Sequence, residues 1–281
     1  MTLLLSFILT FSPINTDSSR LEVYKTHLND LDNSNVENID AALVLFDSLS
    51  VSPPDSVNDK MFEEFRDYYF KTIRYINSNN IDDSKFYQYD DKYNNPYADS
   101  LTTLLNAFGI DIFSTEGSFY ADQMVGYLSK TFSGKLTEAY KEFLERRAFE
   151  MRRPFSEDAM LLVPISTVTD RMLFWEDFLK RYPDSHISSS AGFFYEHYLG
   201  ILITGTDNSR VYDLNTNIFR EDVIRIYKRI ISEYPDRRSA QMLSGYLEEV
   251  KRNDFIFNEN ITEYIETNNL PSMRSMQPIA R

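Results

Sequence analysis

The chain has 281 residues, 42% of them hydrophobic, which can fill the core of one large domain or two smaller ones and excludes a disordered chain. Asp and Glu number 43 against 29 Lys and Arg, a formal net charge of −14, and a surface that repels phosphate is a poor partner for nucleic acid or anionic membrane. Cysteine is absent, which removes disulfides, thiolate nucleophiles and cysteine metal sites.

In chain order, Leu3 to Phe11 is a nine-residue apolar run followed by Ser12-Pro13. It is too short to span a bilayer and suits the hydrophobic region of a secretory signal, although no basic residue precedes it. Residues 1–16 are therefore expected to be a signal segment or an N-terminal apolar helix. The first reading exports the chain to the periplasm or cell envelope, and the second leaves it cytoplasmic with the run docked in its core. No transmembrane span is expected.

Residues 17–80 are expected to form an N-terminal helical unit. Asp17 or Ser18 caps a helix running through His27 and Leu31. Ile39, Ala42, Leu43, Phe46 and Leu49 mark one face of a second helix, which Ser52-Pro53-Pro54-Asp55 ends. Met61, Phe62, Phe65, Tyr68, Tyr69, Ile73 and Ile76 mark a third, capped near Asn58 or Asp59. Residues 81–98, rich in Asp, Asn and Tyr and containing Asn94-Asn95-Pro96, read as a linker. Residues 99–269 read as a helical, repeat-like domain, with helices at Asp99–Phe108, Gly117–Phe132, Lys135–Met151 and Ser156–Leu162 before the segments taken up below. No stretch sustains alternation at period two, so strands are expected to be incidental. Residues 270–281 read as a disordered tail.

The charge is uneven. Residues 1–134 hold 9 basic and 20 acidic residues, net −11, whereas residues 135–281 hold 20 and 23, net −3. Arg146-Arg147, Arg152-Arg153 and Arg237-Arg238 read either as a local basic face on the C-terminal half or, the reading preferred, as solvated helix faces paired with Glu142, Glu145 and Glu150 at helical spacing.

The search for reaction chemistry returns mostly exclusions. Gly200 to Asp207 lacks the lysine a phosphate loop needs, and there is no GxSxG or HExxH. His186 and His197, if on one helix, lie roughly 16 Å apart, too far to share an ion. Asp30 to Ser34 begins like a calcium loop, but Asn35 stands where the turn glycine belongs and Ala41 where the bidentate glutamate belongs. No metal or cofactor is expected. Acidic pairs remain: Glu176-Asp177, and Glu116 with Asp122, are carboxylates of the kind an all-helical hydrolase acting on a glycan would use. The acidic tyrosine cluster from Phe86 to Tyr93 is the candidate ligand-facing loop, with Tyr87, Tyr89 and Tyr93 as candidate binding residues.

Two copies of one pattern lie 52 residues apart: Phe174-Trp175-x-x-Phe178-Leu179-x-x-Tyr182-Pro183-Asp184 and Ile226-Tyr227-x-x-Ile230-Ile231-x-x-Tyr234-Pro235-Asp236. Each places apolar residues along one helix face and then stops the helix with a proline that has no N–H to donate. The stripe resumes at Ala191, Phe194, Tyr195, Tyr198, Leu199 and Leu202, and again at Met242, Leu243, Tyr246, Leu247 and Val250. The unit is helix, turn, helix.

On these residues the segment 167–253 resembles tetratricopeptide-like proteins of the bacterial cell-envelope type. It departs from them in carrying Arg171 and Phe178, or Val223 and Ile230, where small residues are usual, and in a spacing longer than 34 residues, with Gly205 to Asn217 as an inserted loop. The resemblance implies an all-α fold of antiparallel helical hairpins with a right-handed superhelix in the C-terminal half. It also implies a non-catalytic binding or scaffolding role toward a protein or peptide partner.

Overall fold

The computed structural model describes residues 17–87, 95–115 and 117–273. The fold is mostly helical, as the apolar stripes require. The chain divides into two compact units at Glu145 and Arg146.

The first unit contains α1 (Asp17–Asp30), α2 (Asn38–Leu49), α3 (Ser56–Asn79), α4 (Asp83–Tyr87), α5 (Pro96–Asn106), β1 (Ile110–Thr115), β2 (Ser118–Gln123) and α6 (Tyr127–Phe132), with the start of α7 (Glu138–Met151). Helices α1, α2 and α3 bury Tyr24, Phe46, Phe62 and Phe65, and Phe132 completes the core, its ring 4.9, 4.9 and 5.0 Å from Phe46, Phe62 and Phe65. The approaches of Phe46 and Phe62 are edge-on, which suits the ring quadrupoles, and that of Phe65 is tilted.

The cap of α3 is Asp55, whose carboxylate accepts from the N–H groups of Val57 and Asn58 at 3.1 and 2.9 Å. This corrects the expectation of Asn58 or Asp59. Both of those lie inside the helix and buried, free to hold other segments: Asn58 Nδ2 donates to Val51 O and Lys135 O, while Asp59 accepts from Thr137 N and Oγ1 at 2.9 and 2.7 Å.

Of the expected helix Gly117–Phe132 only Tyr127–Phe132 is helical; its first part is the second strand of an antiparallel hairpin, with Ile110 opposite Gln123 and Thr115 opposite Ser118. Gly109 and Gly117, at φ +71° and +81°, make the breaks that a helix would not tolerate. A Cβ on Gly109 would sit 2.1 Å from the Tyr127 ring, so the chain passes there only as glycine.

The described part of the expected linker belongs to this unit. Asn95, 8% exposed, caps α5 through Ala98 N and donates to Lys85 O and Phe86 O. Phe86 stacks on Phe119 at 4.3 Å, and Asn77 brackets Ala121 through both its N–H and its carbonyl.

The second unit contains the end of α7, then β3 (Ser156–Glu157), β4 (Met160–Leu161), α8 (Ile165–Arg181), α9 (Ser188–Thr204), β5 (Gly205–Thr206), β6 (Ser209–Arg210), α10 (Glu221–Glu233), α11 (Arg238–Arg252) and α12 (Glu259–Thr267). Ser156–Leu162 is not the expected helix. Asp158 and Ala159 both have positive φ and close a two-residue hairpin turn, and Asn208 holds it through Asp158 O and Ala159 O.

The helix pairs α8/α9 and α10/α11 are the two expected hairpins. Their stops have the same shape: Tyr182 at φ −127°, ψ 53° and Tyr234 at φ −133°, ψ 51°, each donating its N–H four residues back, to Phe178 O and Ile230 O. Gly205, at φ +71°, ends α9 where a Cβ would meet Ser209 O at 2.3 Å.

Residues 270–273, expected as the start of a disordered tail, are packed. Asn269 turns into the left-handed region, Leu270 N–H returns to Ile265 O and Asn269 N–H to Glu266 O, the paired bonds of a Schellman stop. Leu270 and Ser272 are buried, and Met273 N–H reaches Thr204 Oγ1. No helix among the described residues is long and apolar enough to cross a membrane.

Candidate functional site

Of the candidate tyrosines, Tyr89 and Tyr93 lie outside the described residues, as does Glu116 of the acidic pairs. Tyr87, 58% exposed, closes α4 with its ring edge-on to Phe119, 5.3 Å away, and its hydroxyl donates to Gly117 O at the tip of the β1–β2 hairpin. The residue thus holds the hairpin while remaining open to solvent.

The pair Glu176-Asp177 is engaged by the next hairpin. Glu176 accepts from Ser239 N at 2.9 Å and Ser239 Oγ at 2.6 Å, so a carboxylate on α8 serves an otherwise free N–H in the first turn of α11. Arg237 donates to Asp177 at 2.9 Å and to Leu173 O at 3.1 Å. The two carboxylates are neighbours in sequence but face one cation and one helix end. They do not face each other across an open cleft.

The densest polar arrangement centres on Glu150, 2% exposed at the end of α7. One oxygen accepts from Arg146 Nε at 2.8 Å and Trp175 Nε1 at 3.0 Å; the other accepts from an Arg147 guanidinium N–H at 3.0 Å and the Tyr198 hydroxyl at 2.9 Å. Arg171, 3% exposed, donates to the same hydroxyl at 3.3 Å and to Arg153 O. The cations also lie over rings, Arg147 at 3.8 Å from the centre of Phe194 and Arg146 at 4.2 Å from that of Phe174.

The helical spacing expected of Arg146, Arg147 and Glu150 is present, but the expectation of a solvated face is corrected. Trp175 and Tyr198 draw the carboxylate into the core. Burial, followed by the Glu150 charge, pushes the Tyr198 phenol up to about 12, which keeps it a neutral donor. With four donors on two oxygens, Glu150 has no lone pair directed at a substrate and acts as the anchor of three helices.

The histidines are scattered. His27 is on α1, His186 is exposed before α9, and His197 on α9 stands between Phe155 and Phe193, with ring centres at 5.1 and 5.7 Å. Burial and then Arg147 push His197 down to about 4, so it is neutral near pH 7. Among the described residues no three His, Asp or Glu side chains group to hold a metal ion.

The hairpins meet through donors as well. Tyr227 donates to Leu202 O and Tyr246 to Ile203 O at 3.0 Å, so α10 and α11 both grip the end of α9. Apolar periodicity found these buried tyrosines, while Ser239 carried no local signal, since its role depends on Glu176 sixty-three residues away, and Arg237, expected on a solvated face, is instead partly buried against Asp177 and Leu173 O. Comparison with protein-family models, curated proteins and solved structures finds no match to this chain.

Proposed function

We propose that this protein is a non-catalytic helical binding or scaffolding module, of tetratricopeptide-like kind in its C-terminal half, acting on a protein or peptide partner in the cell envelope. The observation that carries the reading is the coupling of two like-shaped hairpins. Glu176 and Asp177 of the first hold Ser239 and Arg237 of the second, while Tyr227 and Tyr246 of the second hold carbonyls of the first. Stacked hairpins tied in this way offer a continuous face for an extended peptide or partner helix. The placement in the envelope draws on the apolar run from Leu3 to Phe11.

The alternative, a glycan hydrolase working through an acidic pair, has less to draw on, because Glu150 accepts four donors, Glu176 is held by Ser239, and the half-exposed Asp177 is paired with Arg237.

The test compares the full chain with a variant carrying Arg225→Glu and Lys228→Glu on the exposed side of α10. Both are used to capture proteins from separated cell fractions, and captured candidates are retested as purified pairs. A purified partner that binds the wild type and loses about tenfold or more in affinity with the variant supports the module. Hydrolysis of a glycan that Glu176→Gln abolishes would favour the alternative instead.

A further inference from the structure

A cleft in the first unit is independent of the hairpins. Its apolar side is Val36, Ile76 near the end of α3, and Leu101, Leu104 and Leu105 on α5; Glu37 and three neutral polar residues of the α1–α2 connection and the end of α3 complete the lining, and its volume is ≈ 160 Å³. An apolar cavity of about 150 Å³ holds one benzene ring, whereas small-molecule sites run to roughly 300–1,000 Å³. The cleft therefore matches one large apolar side chain and is too small for a cofactor. Val36, Ile76 and Leu105 are buried in its walls, and Leu104 stands 43% exposed at its mouth.

The rim selects the rest of the occupant. Glu37 is exposed there and has no ion-pair partner among the described residues. The unit as a whole is acidic, with 23 acidic and 11 basic residues in 1–145, net −12. A field of that sign draws a cationic segment and repels an acidic one.

We propose that this cleft docks a basic peptide segment of a partner protein, which inserts one phenylalanine- or leucine-sized side chain against α3 and α5 while a flanking lysine or arginine pairs with Glu37.

The test is fluorescence anisotropy of labelled Lys-Lys-Phe-Lys-Lys with the full chain, beside the same peptide with alanine in place of phenylalanine. The phenylalanine peptide should bind about tenfold tighter, the value of burying one such side chain. Leu104→Asp should erase that preference, and Glu37→Lys should weaken both peptides severalfold and flatten their salt dependence. Asp67→Lys, an equal charge change at an exposed α3 position outside the lining, should leave both nearly unchanged. All three positions are exposed, and circular dichroism verifies the fold of each variant.

Equal affinity for the two peptides, equal weakening by Glu37→Lys and Asp67→Lys, or no binding at millimolar peptide would each overturn the proposal. A dimer of the protein alone that Leu104→Asp dissolves would assign the cleft to a second copy and overturn it as well.

Discussion

In the first unit the ring of Phe132 closes a core of Phe46, Phe62 and Phe65, and the polar groups sit around it. In the second, the rings of Trp175, Phe174, Phe194 and Tyr198 gather round a buried carboxylate and its arginines. The connections are held differently too. Asp59, Asn77 and Asp83 of the first unit offer oxygens to the distant N–H groups of Thr137, Ala121 and Phe119. In the second unit Arg171, Arg237, Tyr227 and Tyr246 donate to distant carbonyls. The division is one of emphasis, since Arg20, Tyr24 and Tyr69 of the first unit also donate to distant carbonyls and Glu176 of the second accepts from Ser239 N. The net charges differ more plainly, −12 for residues 1–145 and −2 for residues 146–281.

The contrast can be broken most sharply at the two cores. Phe132→Ala and Trp175→Ala should each destabilise by about 3–5 kcal/mol in denaturant unfolding, because both rings are fully buried. A near-wild-type midpoint for either would mean its unit is organised around something else. Glu150→Gln comes next. It keeps the shape but takes the charge from Arg146 and Arg147, and a loss of about 2–3 kcal/mol in the same assay is expected.

His197 adds a pH dependence to the second unit. Its folded pKa is about 4 against 6.5 when unfolded, so between those values the unfolded chain binds the extra proton. Stability contributed by this group is complete above pH 6.5 and is lost as pH falls toward 4. Solvent reaching the half-buried ring limits the loss to about 1–2 kcal/mol. His197→Phe, measured at both pH values beside wild type, should flatten the difference by that amount, and an unchanged difference would assign it to carboxylates. The smallest effect is at the seam of the hairpins, where Glu176→Ala should lower stability by about 1 kcal/mol through the lost first-turn contact of α11.

The hairpins of the second unit were legible because apolar spacing and a proline act locally. Trp175, Phe178, Tyr227 and Ile230 are all buried, and the matching backbone angles at Tyr182 and Tyr234 follow from a proline that cannot extend the ladder. The stop at Asn268-Asn269-Leu270-Pro271 was equally local, and its asparagine in the left-handed position was the signal missed. The β1–β2 hairpin was harder to see. Its faces are only half-buried, which blurs the alternation, and the glycines on either side carry the stronger message.

The candidate site was legible in part. Arg146, Arg147 and Glu150 announced a helical ion pair, but nothing in their spacing distinguishes a solvated pair from a buried one. Sequence alone determined the paired helices of α8–α11, their proline turns and the acidic balance, because propensity, periodicity and charge act over a few residues or simply add. Tertiary structure decided which carboxylate is buried with four donors, which acidic pair caps a distant helix, and where three leucines on α5 meet Val36 and Glu37. Those outcomes depend on segments tens of residues apart arriving at one place, and their energies exist only once the backbone has brought them together.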